Sequence, residues 1–398
     1  MSSTHTDCDV FVVGAGPSGC ECARRLAADG WSVTVAEEHS RPGEPVHCTG
    51  IISAHAYRAF DLPPAAVQSE LDRGELTSPG GVTLRVDLNG TRAYAVDRKV
   101  LDLELATRAR DAGADFSYRT RVQHARVDGS VVGITGTRAG KPWTARARAI
   151  VLASGAKSRL PRQLGMAAQR EAAYGAQAEL QVPSPPVMRV WVGQQLAPGG
   201  FGWTVPGKPG WSRVGVLTRE KPREALRRLA HLALDGGSER LLEEAIRVHP
   251  VPAAPRCPTY GDRALSLGDA AGQVKMTTGG GVYYGMLAAG IAAEVLSEQL
   301  SKRRLSARDL SRYEELWQQL LGPEQRAGRI LRRLATSVPD PTIDEIFRFA
   351  EARGLSHQLL DLVDFDWHAR PGVGLALAML ARAPGEERAL QWLRHFVG

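Results

Sequence analysis

The chain begins with a short apolar run, a glycine-rich turn and a helical pattern. Residues 9–13 (DVFVV) predict a buried strand, and residues 18–29 predict a helix with Leu26 on its packing face. Gly30 ends this helix, and residues 32–36 (SVTVA) predict a second strand. The pattern is therefore that of a strand, turn, helix and strand of about 30 residues, the length that a parallel βαβ unit requires.

Further strand and helix patterns alternate along the middle of the chain. Residues 38–61 are rich in proline and glycine, which predicts a loop region that carries function. A helical pattern covers residues 98–112. Three strand patterns follow, at 123–127, 131–137 and 149–153. Because the last of these runs directly into Ser154 and Gly155, we expect the first sheet to resume there.

The second half of the chain predicts a separate sheet and then a helical end. Between residues 170 and 255, runs such as MRVWVG and SRVGVL alternate with proline and glycine turns around a helix near 224–233. This pattern predicts an antiparallel sheet that covers a pocket. The elements predicted after it are a short strand at 264–267, a helix over 285–300, and helices from Ser306 onward that break at Pro323 and Pro339.

The length of the chain, 398 residues, exceeds the size at which one hydrophobic core stops growing. We therefore expect more than one domain. The strand and helix patterns predict an α/β fold with a Rossmann-like dinucleotide-binding domain, an interleaved antiparallel-sheet substrate domain and a helical C-terminal region. The predicted boundaries are residues 7–170 and 256–300 for the dinucleotide-binding domain with a substrate-domain excursion at about 60–97, residues 171–255 for the substrate domain, and residues 301–398 for the C-terminal region.

Charge and cysteine usage narrow the function classes. The net charge of +7 comes from arginine spread through the chain without a nucleic-acid-binding motif, so no nucleic-acid partner is expected. A basic run at 302–312 and 326–333 favours a solvated helix face, with a peripheral contact to the inner face of a membrane as the alternative. The chain has no long apolar segment, and its five cysteines are scattered, which predicts a cytoplasmic protein with reduced thiols and no metal.

The turn after the first strand reads G-A-G-P-S-G, from Gly14 to Gly19. In such a turn the first glycine allows a tight bend, the second (Gly16) lets the backbone approach a pyrophosphate, and the third allows close packing of helix on strand. Pro17 and Ser18 open the helix, whose N-terminus presents free N–H groups to phosphate. The spacing predicts a dinucleotide site.

The carboxylate that completes such a site is expected at the end of the second strand. Glu37 lies 18 residues after Gly19, where it can accept hydrogen bonds from the ribose hydroxyls. Glu38 is the second choice, because alternation with Val33 and Val35 places Glu37 at the strand tip. A carboxylate here disfavours a 2′-phosphate, whereas the choice between NAD and FAD depends on the rest of the chain.

A second glycine cluster lies far downstream. In A-L-S-L-G-D, Gly268 and Asp269 close a strand, so that the carboxylate can hold a ribityl hydroxyl, and Gly279 to Gly281 open a helix toward a flavin. Together with the first motif, this cluster resembles the FAD-dependent oxidoreductases of the para-hydroxybenzoate hydroxylase superfamily. The resemblance implies FAD as cofactor, a dinucleotide-binding domain of the glutathione-reductase type, and Gly155 as a further cofactor contact.

Three further segments resemble the geranylgeranyl reductase family within that superfamily. They are residues 42–51 (PGEPVHCTGI), 94–105 (YAVDRKVLDLEL) and 199–206 (GGFGWTVP). The resemblance implies that Cys48 and Thr49 lie beside the cofactor, and that Arg98 faces the flavin or its pyrophosphate. Two departures stand out, since Lys275 and Met276 replace a usual proline before the second glycine cluster and Ser154 replaces a usual acid.

This resemblance implies a reaction and a set of residues for it. Reduced FAD would donate a hydride from N5 to one carbon of an isoprenoid double bond, and an acid would protonate the other carbon. Cys48 is the candidate acid, with simple packing beside the ring as the alternative; His47 is adjacent and either relays the proton or points away. The residues implied to line an apolar substrate tunnel, or alternatively to form ordinary core, are Phe201, Trp203, Pro206 and Tyr283.

Two other functions share this scaffold. One is an FAD monooxygenase or dehydrogenase acting on a small natural-product type of molecule, which the Cys48 loop disfavours. The other is an electron-transfer flavoprotein, which the lack of a cysteine cluster disfavours. Without a second dinucleotide motif, we expect NAD(P)H or another electron donor to act as a transient reductant. The sequence makes no prediction of the oligomeric state.

Overall fold

The computed structural model describes residues 7–87, 90–167, 172–183, 187–234, 241, 243–354 and 365–367. Its strands are β1 Cys8–Val13, β2 Val33–Ala36, β3 Ile51–Ser53, β4 Val67–Leu71, β5 Arg73–Thr77, β6 Thr83–Asp87, β7 Ala93–Val96, β8 Asp115–Ser117, β9 Thr120–Asp128, β10 Val131–Arg138, β11 Lys141–Leu152, β12 Ala172–Leu180, β13 Met188–Val192, β14 Phe201–Pro206, β15 Ser212–Thr218, β16 Arg247–Pro252, β17 Tyr260–Gly261 and β18 Ala264–Ser266.

Helices connect and cover these strands. They are α1 Pro17–Ala28, α2 Ala54–Ala59, α3 Arg98–Asp111, α4 Leu160–Gln163, α5 Pro222–Ala233, α6 Val282–Ser301, α7 Ala307–Ser337 and α8 Asp340–Ala352, with 3-10 turns at Pro64–Ala66, Glu243–Ala245 and Gly268–Ala271. The predicted mixed α/β class with a helical C-terminal region is confirmed. The described part of the chain contains no helix that is both long and apolar enough to cross a bilayer.

The first sheet is built around the predicted βαβ unit. Its order is β17-β18-β11-β1-β2-β8, and β10 and β9 continue from β11 as an antiparallel ribbon. Strand β1 pairs in parallel with both β2 and β11, so it is central and buried on both faces. This burial explains its near-continuous apolar run, in which Val10, Phe11 and Val12 are almost fully inaccessible to water.

The described residues form two further sheets. The second sheet has the order β16-β12-β15-β14-β13-β5-β6, and the third has the order β3-β7-β4. The antiparallel sheet expected between residues 170 and 255 is present in the second sheet. That sheet also recruits β5 and β6 from the earlier excursion, and β5 pairs in parallel with β13. Helix α5 covers the outer face of this sheet with Leu226 and Leu229.

Helices α1, α3 and α6 form the main core against the first sheet. In α1 the side chains of Cys20, Cys22 and Leu26 are buried, and close packing accounts for the small residues at the first two positions. The expected break at Pro323 is wrong, because α7 runs through it from Ala307 to Ser337. Proline removes one helical N–H, yet buried side chains on both sides of it hold the helix on the core, with Trp317 and Leu321 before it and Leu334 after it.

Candidate active site

A cavity of about 1840 Å³ lies where the first sheet meets the second. Val13, Ala36, Ala153 and Leu267 line it, and each stands at or just after the carboxyl end of a parallel strand. Ligands of open α/β sheets bind at this edge. Since sites for single small ligands are typically about 300–1,000 Å³, this cavity has room for a large cofactor together with a substrate.

The first glycine motif has the geometry that its sequence predicts. Gly14 has a φ of +103°, and a Cβ there would come within 2.5 Å of the Ala153 carbonyl oxygen. A Cβ on Gly19 would overlap the Gly14 carbonyl oxygen, so this glycine serves the contact of helix with strand rather than the cavity wall. Both positions therefore require glycine for packing reasons.

The second glycine of the motif faces space instead. A Cβ on Gly16 would meet no atom within 4 Å, and Gly16, Pro17 and Ser18 all line the cavity. Gly16 begins α1 with no side-chain cap, so N–H groups of the first helical turn remain available to a ligand. Ser154 Oγ, nearby in the lining, is buried with no hydrogen-bond partner in the described structure. These residues fit a bound pyrophosphate.

Glu37 and Glu38 both line the cavity, but they differ in burial. The Glu37 side chain is 12% exposed; its Oε2 accepts a hydrogen bond from the Ala15 N–H at 3.0 Å, and Oε1 pairs with His39 Nδ1 at 2.7 Å. The Glu38 side chain is 53% exposed and forms only long ion pairs with His39 and Arg121. Glu37 is therefore held at the motif, in the position suited to a ribose.

The downstream motif packs directly on the first one. A Cβ on Gly268, whose φ is +57°, would lie 2.8 Å from Ser18 Oγ. A Cβ on Gly281 would lie 2.6 Å from Asp269 Oδ1. Burial raises the pKa of Asp269, while Arg256 and Arg98 act against this rise. The two distant glycine clusters thus form one wall of the cavity.

Gly279, Gly280 and Gly281 also line the cavity and lead into α6. Gly279 has a φ of +76°, and α6 begins after Gly281 without a side-chain cap. An uncapped helix N-terminus carries a partial positive charge. It fits the electron-rich edge of a flavin, the ring that this loop is expected to face.

Cys48 lies in the loop between β2 and β3, on the wall between the glycine motifs and the second sheet. Its Sγ accepts a hydrogen bond from the Gly50 N–H at 3.4 Å, and it interacts with Arg98. Arg98 makes two 2.8 Å hydrogen bonds to Asp102. Burial alone would lower the pKa of Arg98, but Asp102 and Cys48 outweigh it and raise that pKa.

His47 also lines the cavity, where its ring stacks on that of His249 at a centroid distance of 4.9 Å. Burial lowers the pKa of both rings, to about 4 for His249, and the nearby Lys157 ammonium contributes to each shift. The Nδ1 of His249 is buried and unpartnered among the described residues. Both imidazoles are therefore uncharged at neutral pH.

Part of the cavity lining, which we call the apolar end, is apolar. It includes Met188, Val190, Val192, Phe201, Trp203 and Leu217, all from the second sheet. Phe201 and Trp203 share one face of β14, with ring centroids 5.5 Å apart. Pro206 and Tyr283, by contrast, are absent from the lining: Pro206 ends β14, and Tyr283 packs in the core with its hydroxyl hydrogen-bonded to His55 at 2.9 Å.

Sequence reasoning missed the residues that hold the Cys48 loop. Arg213 Nη1 donates to the carbonyl oxygens of Thr49 at 2.7 Å and Val96 at 2.8 Å, and its Nη2 donates to Gln68. Thr49 itself donates to Gln177 at 2.9 Å. A charged residue inside the apolar run SRVGVL was the available signal, because a buried arginine requires partners.

Comparison with known proteins identifies the family of this chain. The family model described as lycopene cyclase protein matches residues 9–352. A digeranylgeranylglycerophospholipid reductase of Methanopyrus kandleri is 31% identical over 86% of this chain and 93% of its own. A geranylgeranyl bacteriochlorophyll reductase-like structure from Thermoplasma acidophilum superimposes with a TM-score of 0.81, at 20% identity over 98% of this chain and 99% of its own.

A variant of the halogenase PltM, solved in complex with FAD, shares the fold with a TM-score of 0.67 at 13% identity, over 97% of this chain and 94% of its own. The fold is the one that these two solved structures share, and the reductase relative identifies the chain as an oxidoreductase. The family model and the reductase relative specify the group more closely. The chain belongs to the family of this model and to that of the geranylgeranyl reductases.

Proposed function

We propose that this protein reduces carbon–carbon double bonds of an isoprenoid lipid with electrons from FAD. One observation supports this proposal above the others: the Cys48 loop lines the same cavity as the glycine motifs and the apolar end. The glycine motifs and Glu37 form one part of this lining, and Phe201, Trp203 and aliphatic side chains form another. A flat polar cofactor and an apolar chain are accommodated side by side.

The reaction adds two electrons and two protons across one double bond. The glycine motifs and Glu37 would hold FAD, which when reduced would supply a hydride for one alkene carbon; the other carbon would take a proton, and NAD(P)H or another donor would return the two electrons to the cofactor. An isolated alkene has no carbonyl group to spread the developing charge. The protein must therefore supply a proton donor close to the carbon and keep water away.

Cys48 is the residue that we propose for proton donation. Its thiol lines the cavity and lies next to Arg98, which is 13% exposed and paired with Asp102. A neighbouring guanidinium stabilises the negative charge that remains on sulfur after the proton has left. His47 is the second candidate, as a relay: its uncharged ring lines the same cavity and can accept a proton at one ring nitrogen while the other nitrogen releases its own proton to the site.

The substrate assignment follows the chemistry of the apolar end. Met188, Val190 and Val192 from β13 continue the surface that Phe201 begins, which suits a branched hydrocarbon chain rather than a compact aromatic ring. Because such a lipid resides in a membrane, we propose that the protein works in the cytoplasm in contact with the inner face of that membrane. We also propose that Asp269 and Gly279 to Gly281 contact the cofactor.

The proposal is tested with the FAD-loaded protein reduced under argon and mixed with geranylgeranyl-bearing phospholipid in mixed micelles. We expect the oxidised flavin spectrum to return as saturated product appears. Cys48→Ala should slow this step at least about tenfold at unchanged FAD content. The matched control is Cys257→Ala, since Cys257 is an exposed cysteine outside the cavity lining. If the flavin stays reduced under argon and is reoxidised only after air is admitted, with the lipid intact, the result would instead support oxygen chemistry on another molecule.

A further inference from the structure

A buried ion pair lies at the same cavity, and the proposed reaction does not use it. Lys275 Nζ is 3.1 Å from Asp366 Oδ1 and donates a hydrogen bond at 3.1 Å to the Phe365 carbonyl oxygen. The two charged side chains are 8% and 2% exposed. Lys275, Phe365 and Asp366 all contribute to the cavity lining.

The lysine is held by the run Gly279 to Gly281, which we call the triple glycine. Its backbone N–H donates to the Gly280 carbonyl oxygen at 3.0 Å, and its own carbonyl oxygen accepts the Gly279 N–H at 2.8 Å. The position of a Cβ on Gly280 lies 2.9 Å from Lys275 Cε and 3.6 Å from Nζ. The ammonium group is therefore held beside the backbone of this loop, and a side chain at position 280 would require the end of the Lys275 side chain to shift.

The aspartate arrives from the far end of the sequence. The segment Phe365–Trp367, which we call the C-terminal contact segment, is anchored by three contacts to two residues. Ser53 Oγ donates to Asp366 Oδ2, Tyr284 donates to the Asp366 carbonyl oxygen at 2.8 Å, and the Trp367 ring lies 5.9 Å from that of Tyr284. This segment contributes Phe365 and Asp366 to the cavity lining and brings the counter-ion to Lys275.

An ion pair in this position needs a reason other than stability. Removing two charges from water costs several kcal/mol per ion in general, so buried pairs are often no more stabilising than apolar residues of the same size. A charge beside a flavin changes the energy of its reduced form, because reduction adds negative charge to the ring.

We propose that Lys275 raises the reduction potential of the FAD bound in this cavity and that Asp366 of the C-terminal contact segment moderates this effect. This inference rests on the proposed function, since the triple glycine is the loop expected to face the flavin. The positive charge stabilises the reduced cofactor, and the paired carboxylate keeps the potential low enough for transfer to an alkene. The C-terminal contact segment is thereby linked to the redox chemistry.

The test is a redox titration of four FAD-loaded proteins, each measured anaerobically against a reference dye. The expected order of midpoint potentials, from highest to lowest, is Asp366→Asn, wild type, the double variant Lys275→Met/Asp366→Asn, and Lys275→Met. Relative to wild type, Lys275→Met should fall by at least about 30 mV, which is a tenfold change for a two-electron couple. The double variant also removes both charges together, so it keeps the comparison valid if Lys275→Met alone does not fold.

The matched control is Lys302→Met, which breaks an exposed ion pair with Glu298 at the opposite end of α6. Its potential should equal that of wild type. Thermal unfolding of the four proteins without FAD supplies a second readout. If unfolding temperatures change while all midpoint potentials stay equal, the pair is purely structural and the inference is wrong. If none of the proteins binds FAD, the proposed function itself fails, and this outcome is distinct from the first.

Discussion

Trp203 Nε1 donates a hydrogen bond to Thr49 Oγ1 at 2.9 Å, and this contact joins the apolar end of the cavity to the loop that carries Cys48. Thr49 Oγ1 in turn donates a hydrogen bond to Gln177 in β12. The side chain expected to contact substrate therefore also fixes the loop expected to supply the proton. Positioning of the two is coupled through one hydroxyl group.

Removing this hydrogen bond should slow the reaction more than it weakens FAD binding. Trp203→Phe keeps an aromatic ring but loses the donor, and Thr49→Val keeps the shape but loses the hydroxyl. Each should lower turnover about tenfold, because small displacements of a reacting group are costly. A double-mutant cycle on turnover checks the coupling. Two additive effects would show that the residues act separately.

Arg213 is expected to be the main structural support of the Cys48 loop. Arg213→Met leaves the carbonyl oxygens of Thr49 and Val96 without their buried donor, and we expect it to lower the free energy of unfolding by about 2–4 kcal/mol. Urea denaturation measures this loss. The control, Arg189→Met, breaks the more exposed ion pair with Glu75 and should cost about 1 kcal/mol or less. Equal losses would refute the assigned support role.

Variants of Glu37 and Glu38 test whether FAD binding depends on the specific position of Glu37 or on negative charge in general. Glu37→Gln should weaken FAD binding about tenfold, or 1.4 kcal/mol, because hydrogen bonds to a charged acceptor are the stronger ones. Glu38→Gln removes the same charge one residue away, where the side chain is half exposed, and should leave the affinity within about twofold. Fluorescence titration of apoprotein with FAD distinguishes them. A larger effect at Glu38 would reverse the assignment.

His249 should make the protein less stable in acid. Its pKa is lowered from 6.5 to about 4 by burial and by the neighbouring His47 and Lys157, so below pH 6.5 the unfolded chain binds a proton that the folded ring does not. Stability is therefore lost as the pH falls from about 6.5 toward 4, by about 1–2 kcal/mol at pH 5 for this group. His249→Gln should show a smaller loss between pH 7.5 and 5 in urea denaturation. An identical loss in both proteins would exclude His249 as the cause.

How much the sequence could predict depends on how local each feature is. Gly14, Gly16 and Glu37 belong to one βαβ unit of fixed geometry, so spacing alone places them. The pairing of Lys275 with Asp366 joins residues 91 positions apart. Likewise, His47 meets His249 only because β16 pairs with β12 and lies beside the cavity. Such contacts depend on tertiary packing, which residue spacing does not show. Tertiary packing also keeps α7 helical through Pro323, where the sequence predicts a break.

The most direct test of the central claim is a single turnover under argon. Enzyme carrying one equivalent of reduced FAD is mixed with excess geranylgeranyl phospholipid, quenched after the flavin spectrum has returned to its oxidised form, and analysed by mass spectrometry. Our account predicts product heavier by two hydrogen atoms, with one double bond lost per flavin oxidised. A product of unchanged mass, as in cyclisation or isomerisation, or oxidised flavin with fully intact lipid, would contradict it.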